Sequence, residues 1–316
     1  METIYKPEGM SGAAAEGRRV CYSRAALEHA MKTGEILEAC ATVCDGSYSL
    51  SVDLGTMRGI IRREDAADTP DGSPPKDIAI ITRVGKPVCF CVMGFAEDEN
   101  GEEYACLSRR AAQRRAREEY LDHLIPGDVI PARITHMEQF GAFVDVGCGI
   151  VSLLSVDAIS VSRISHPKDR FTEGMGACVV IRSVEPDTGR IYVSHKELLG
   201  TWEENAAMFS VGETVTGVVR SVEEYGVFVE LAPNLAGLAE LREGVAVGQT
   251  AAVYIKNIIP QRMKVKLALV DTCRTEARQE PIRYFIRSGH IDRWVFSPSS
   301  SDRVIMTDFS VDQRRP

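Results

Sequence analysis

The chain has 316 residues, of which 44% are hydrophobic and 26% charged, and a net charge of −8. That is the profile of a folded chain of two or more domains, and it excludes a collagen-like, wholly disordered or disulfide-scaffold protein. No apolar run reaches the roughly 18 residues of a membrane helix, and the N-terminal stretch lacks the apolar centre of a secretory signal, so a cytoplasmic protein without membrane contact is expected. The nine cysteines (21, 40, 44, 89, 91, 106, 148, 178 and 273) contain no CxxC pair. They predict neither zinc nor a disulfide frame, and most read as small buried hydrophobes inside apolar runs.

In chain order, residues 1–33 read as a tail ending in a short helix capped by Ser23. Three similar units follow, at 34–107, 127–196 and 212–270. They open with GEIL, GDVI and GETV, continue to a second Gly-led strand after Gly85, Gly174 and Gly248, and close with a short alternating strand. Short alternating strands with Gly, Pro, Asn and Asp between them predict an all-β protein of three tandem, closed, five-stranded barrels. For the first unit, Val43, Val52, Leu54, Ile60, Val88 and Val92 are the expected core. The joints are short helical linkers. Residues 108–126 hold Arg109, Arg110, Arg114, Arg115 and Arg117, read as a solvated basic helix, and residues 197–211 form the second linker. The tail at 271–316 carries aromatic pieces expected to fold against the third barrel.

Strand alternation assigns faces. In the second unit Ala142, Val144 and Val146 point inward; Phe143 and Asp145 point outward, with Phe140 at the mouth of the turn. The third unit repeats this with Val227, Val229 and Leu231 inward, Phe228 and Glu230 outward, and Tyr225 before Gly226. On the closing strands Arg190 and Tyr192, then Lys264 and Lys266, point outward. Two aromatics beside cations on one side of a small barrel form a platform for stacked bases and their phosphates, which suits single strands. The candidate RNA-binding residues are therefore Arg133, Phe140, Phe143, Arg190 and Tyr192, then Tyr225, Phe228, Lys264 and Lys266. The first unit has 14 acids against 6 bases, the whole deficit of the chain. The acids at 97–103 flank Asn100-Gly101 and read as a solvated hairpin turn. No phosphate-cradling loop or dinucleotide fingerprint occurs, and the six histidines are scattered. No catalytic residue, metal, cofactor or small-molecule substrate is expected.

The stretch GDVIPARITHMEQFGAFVDVGCGIVSLLSVDAIS, with its closing VEPDTGRIYVSHK, resembles the S1 RNA-binding domain, a member of the OB-fold class. GETVTGVVRSVEEYGVFVELAPNLAGLAEL resembles a second copy, and the first unit a degenerate one. The whole is similar to the bacterial ribosomal protein S1 family in a short, three-repeat form. The resemblance implies a non-enzymatic protein of translation that holds single-stranded mRNA at the 30S ribosomal subunit. It places the family's aromatic pair on Phe140 and Phe143 and on Tyr225 and Phe228, and its closing-strand cation on Arg190 and Lys264. The alternative is a protein-interaction factor that docks on the ribosome or RNA polymerase with RNA contact incidental, which the acidic first unit keeps open.

Overall fold

A computed structural model describes residues 5–10, 20–69, 72–185, 188–276 and 281–310. Helix α1 (Arg24–Thr33) starts where the Ser23 side chain accepts the Ala26 N–H and stops at Gly34 in the left-handed region. The first barrel closes in the order β1 (Leu37–Cys44), β2 (Leu50–Asp53), β3 (Arg58–Ile61), β5 (Glu103–Ser108), β4 (Pro87–Glu97), with helix α2 (Asp77–Ile81) before β4. The second contains β6 (Asp128–Glu138), β7 (Gly141–Asp145), β8 (Val151–Ser155), β9 (Gly176–Val184) and β10 (Ile191–Ser194), and β6 pairs with β9 to close it. The third repeats the order with β11 (Thr214–Glu223), β12 (Gly226–Ala232), β13 (Leu235–Ala239), β15 (Lys264–Glu276) and β14 (Gln249–Ile259). In each, the third strand runs parallel to the fifth. The three five-stranded barrels expected from the strand pattern are present. Among the described residues no helix is long and apolar enough to cross a membrane.

Bulges reset the alternation. The first strand of each barrel slips against the second between Ala41 and Val43, between Ile134 and His136, and between Val219 and Ser221. An extra residue in one strand moves everything beyond it to the other face. Val43 is consequently 54% exposed rather than core, and Ile60 is only half-buried. Ile60 sits between inward Gly59 and Ile61, which puts it on the outer face. The first interior is filled instead by Ala41, Leu50, Val52, Leu54, Ile61, Val88, Phe90 and Val92. Of the nine cysteines only Cys89, Cys91 and Cys148 are buried; Cys21, Cys40 and Cys273 are exposed.

The barrels are joined twice in the same way. The turn after the second strand of one barrel rests on the linker leaving the barrel before it. At the first joint Cys148 O accepts from Gln113 Nε2 (3.2 Å) and Gly149 O from Arg109 (3.3 Å), both on helix α3 (Arg109–Glu119). At the second, Asn234 Nδ2 donates to Lys196 O (2.8 Å) and Gly200 O (3.0 Å). The loop after the third strand of the preceding barrel seals each joint: Arg109 reaches Ala66 O (3.1 Å), and the Val161 N–H reaches Asn234 Oδ1 (2.9 Å). Helix α3 is therefore not simply solvated. Arg109 is buried on Glu8, while Arg110 and Arg114 pair with Asp65 and Asp68 of the first barrel.

The segment at 281–309 covers more than the third barrel. Its β16 (Gly289–His290) adds a strand to β6 of the second barrel. Its Ile291, Trp294, Phe296 and Phe309 share one core with Val129 and Val180 of the second barrel, Trp202 of the linker and the interior of the third.

Glu38 lies at the first joint. Its Oε2 accepts the Gly9 N–H (2.8 Å), and its buried Oε1 has no partner among the described residues. Burial, with the neighbouring Glu8 carboxylate, pushes its pKa up to about 7. A carboxyl raised in the folded state contributes stability below its unfolded pKa and loses it as pH rises through the folded one. Glu38→Gln is therefore expected to raise the melting temperature at pH 8 and leave it nearly unchanged at pH 4.5. A melting temperature that does not rise at pH 8 would show that the ionised carboxylate is accommodated without cost.

Candidate nucleic-acid interface

The cross-strand register of the second barrel sets four side chains in one row on its outer face. His136 lies opposite Phe143, Phe143 opposite Leu153, and Leu153 opposite Tyr192. The His136 ring stacks on Phe143 with centroids 6.3 Å apart and planes at 19°. Phe140, 57% exposed, meets Phe143 edge-on at 5.9 Å and 89°. Phe143, Leu153 and Tyr192 are half-buried, so each presents one side to solvent. Arg190 is exposed just before β10, and Arg182 is exposed where β9 bulges against β10.

The third barrel repeats the row as Ser221, Phe228, Leu238 and Lys266. Tyr225, 69% exposed, meets Phe228 edge-on at 6.1 Å and 87°. Lys264 and Lys266 are exposed on the closing strand, and Lys256 occupies the bulge that Arg182 occupies in the second barrel. In the first barrel the row reads Val43, Ser51, Ile60 and Cys106. Tyr48 is half-buried with Arg63 over its ring at 4.8 Å, and exposed Met93 stands at the bulge. That face offers no stacked aromatics.

Arg133 does not join the platform. It is three residues along β6 from His136 and donates to Gly174 O (2.9 Å) and Glu8 O (2.6 Å), clamping two backbone segments. Asp145 and Glu230 do point out of their barrels, but neither is solvated; both are covered by the joints. Asp145 accepts the N–H groups of Glu8 (2.7 Å), Gly147 (2.8 Å) and Gly149 (3.0 Å). Glu230 is held by Arg170 (2.5 Å) and Arg220 (2.9 Å). Alternation found the face correctly and could not show that a neighbouring element covers part of it.

His136 and Leu153 were not singled out by sequence reading, though the hairpin register contains them. Counting back from the Gln139–Phe140 turn sets His136 against Phe143. His136 Nε2 lies 2.7 Å from Glu138 and Nδ1 lies 3.4 Å from Glu173. The hydrogen bond to Glu138, aided by Glu173, moves its pKa upward. A proton taken up there adds positive charge beside the aromatics. RNA affinity is expected to rise as pH falls from 8 to 6, and His136→Ala should flatten that dependence. An unchanged pH profile in the variant would remove His136 from the interface.

Residues 124–196 match the family model of the S1 RNA binding domain. The chain is 29% identical over 277 residues to the small ribosomal subunit protein bS1 homolog of Bacillus subtilis (strain 168), covering 82% of this chain and 69% of that one. It is 31% identical over 186 residues to small ribosomal subunit protein bS1 of Staphylococcus aureus (strain COL), covering 54% and 47%. For the bS1 of Leuconostoc lactis the figures are 33% over 180 residues, 54% and 40%. The chain thus spans about two thirds of the first relative and half or less of the other two. Among solved structures, a multidomain protein with nucleic acid binding domains from Streptococcus pneumoniae aligns over 75% of this chain and 73% of that one, at 14% identity and a TM-score of 0.25.

Proposed function

We propose that this chain, similar along most of its length to the ribosomal S1 proteins, holds single-stranded RNA, mRNA included, on the outer faces of its second and third barrels and acts in translation at the small ribosomal subunit. One observation carries the reading: the edge-on aromatic pair recurs at the same place in two barrels, at 5.9 and 6.1 Å and 89° and 87°, with cations on the adjoining closing strand. An exposed aromatic face stacks any unpaired base, whereas a duplex hides its base faces inside the helix. Phe140, Phe143, Tyr192, Tyr225 and Phe228 are the stacking residues in this reading. Arg190, Lys264 and Lys266, with Arg182 and Lys256 at the bulges, are the phosphate contacts. The work is binding and needs no catalyst or cofactor, and a subunit-bound protein belongs in the cytoplasm.

The first barrel supports a second role beside this one. Its row has no aromatic, Val43, Met93, Ile78 and Ile81 are exposed, and the first unit carries the chain's acidic excess. That surface suits docking on a basic protein of the small subunit, where charge complementarity sets the encounter rate.

The test is fluorescence anisotropy with a labelled unstructured RNA, its duplex form, and a salt series. With the five named cations each on one phosphate of a single strand, the slope of log K against log salt should be roughly −3.5. The duplex should bind much more weakly. Equal binding of duplex and single strand, or a far steeper slope, would mean that some surface other than the aromatic rows makes the contact.

A further inference from the structure

The second and third barrels are locked together beside their aromatic rows, not at a distance from them. Glu230 stands two residues along β12 from Phe228, and its carboxylate takes Arg170 and Arg220, the three side chains being 6%, 5% and 13% exposed. Arg220 also pairs with Asp169 at 3.1 Å. Arg170 and Asp169 belong to the connection between β8 and β9 of the second barrel. Four residues after Asp169, Glu173 of the same connection lies 3.4 Å from His136, in the aromatic row of the second barrel. One loop therefore touches the row of the second barrel at His136 and the Arg220–Glu230 pair beside the row of the third. Four residues span at most about 14 Å even when fully extended, so the two contact points are close. The buried ion network and the Asn234 bonds hold them in one geometry, which removes the ordering cost that a flexible tether would add.

Just before those contacts in the chain the loop presents Arg163 and Lys168, both exposed. Two of its acids are engaged, Asp169 with Arg220 and Glu173 with His136. We propose that this loop carries the RNA backbone from the platform of the second barrel to that of the third, with Arg163 and Lys168 as phosphate contacts, so that one strand occupies both barrels as a single track. This rests on the reading that the two platforms bind RNA.

The experiment uses the full chain and two labelled unstructured RNAs, one of about 6 nucleotides for a single platform and one of about 24 for both, from site sizes of ~4–16 nucleotides per OB-fold. Wild type should bind both, the longer one more tightly. Arg163→Glu with Lys168→Glu should weaken the long RNA by about tenfold and leave the short one within about twofold. Arg163→Gln with Lys168→Gln, which removes charge without reversing it, should weaken the long RNA less and make its salt slope shallower by roughly 1.4, two phosphates' worth. Circular dichroism melting of both variants should match wild type. A long RNA bound within about twofold of wild type by the Glu pair, or an equal loss on both lengths, overturns the track. Wild type that binds neither RNA overturns the underlying reading, and is told apart because no variant is needed to see it.

Discussion

Arg109→Ala should destabilise the folded chain by about 3–5 kcal/mol, the cost of breaking a buried ion pair by removing one partner. The Arg109 side chain is 5% exposed and meets a Glu8 carboxylate that is also 5% exposed, through two bonds of 2.7 and 3.0 Å. It also donates to Ala66 O of the first barrel and Gly149 O of the second. Without it, Glu8 keeps, among the described residues, only Arg83 at 3.5 Å as a cationic partner, and the two carbonyls lose this donor. The pairing depresses the Glu8 pKa despite burial; without Arg109 burial pushes it back up, so the variant pays at pH 7 either for a buried charge or for the proton that neutralises it. Urea denaturation at pH 7 reads the effect. The paired substitution Glu8→Leu with Arg109→Met should lose less than Arg109→Ala alone, because it strands no buried carboxylate and the Arg83 left behind is 20% exposed. A loss below about 1 kcal/mol for Arg109→Ala would mean that the first joint opens freely to water and that the barrels are merely strung together.

Much of this architecture is legible in the sequence because the repeats are. The Gly-led openings and period-two alternation identify the barrels, and the second and third copies agree position for position on the aromatic pair. What alternation misses has two physical causes. A bulge shifts the side of every residue beyond it, which is how Val43 leaves the first core and how Arg182 and Lys256 reach matching places outside the other two. The second cause is cover from elsewhere in the chain. Asp145 and Glu230 look like solvated outward acids, yet each is an anchor of a joint whose partners come from Glu8, more than a hundred residues away, or from Arg170, sixty residues away. No local pattern contains those pairings. Arg133 fails as a platform residue for the same reason, being claimed by Gly174 and Glu8. His136 could have been found, since only the hairpin count was needed.

The central claim is that the recurring aromatic rows hold single-stranded RNA, and the most direct test is an anisotropy titration of wild type against the Phe143→Ala/Phe228→Ala double variant with one labelled unstructured RNA. Each stack is worth about 1–3 kcal/mol. The two rings lie on separate barrels, so their losses should add, for about 2–6 kcal/mol in all, a weakening of at least roughly 30-fold. Both rings are half-buried on outer faces, outside the apolar interiors, so the melting temperature should fall only slightly. RNA affinity within about twofold of wild type, above all if it came with a large drop in melting temperature, would contradict the claim and make the rings packing residues.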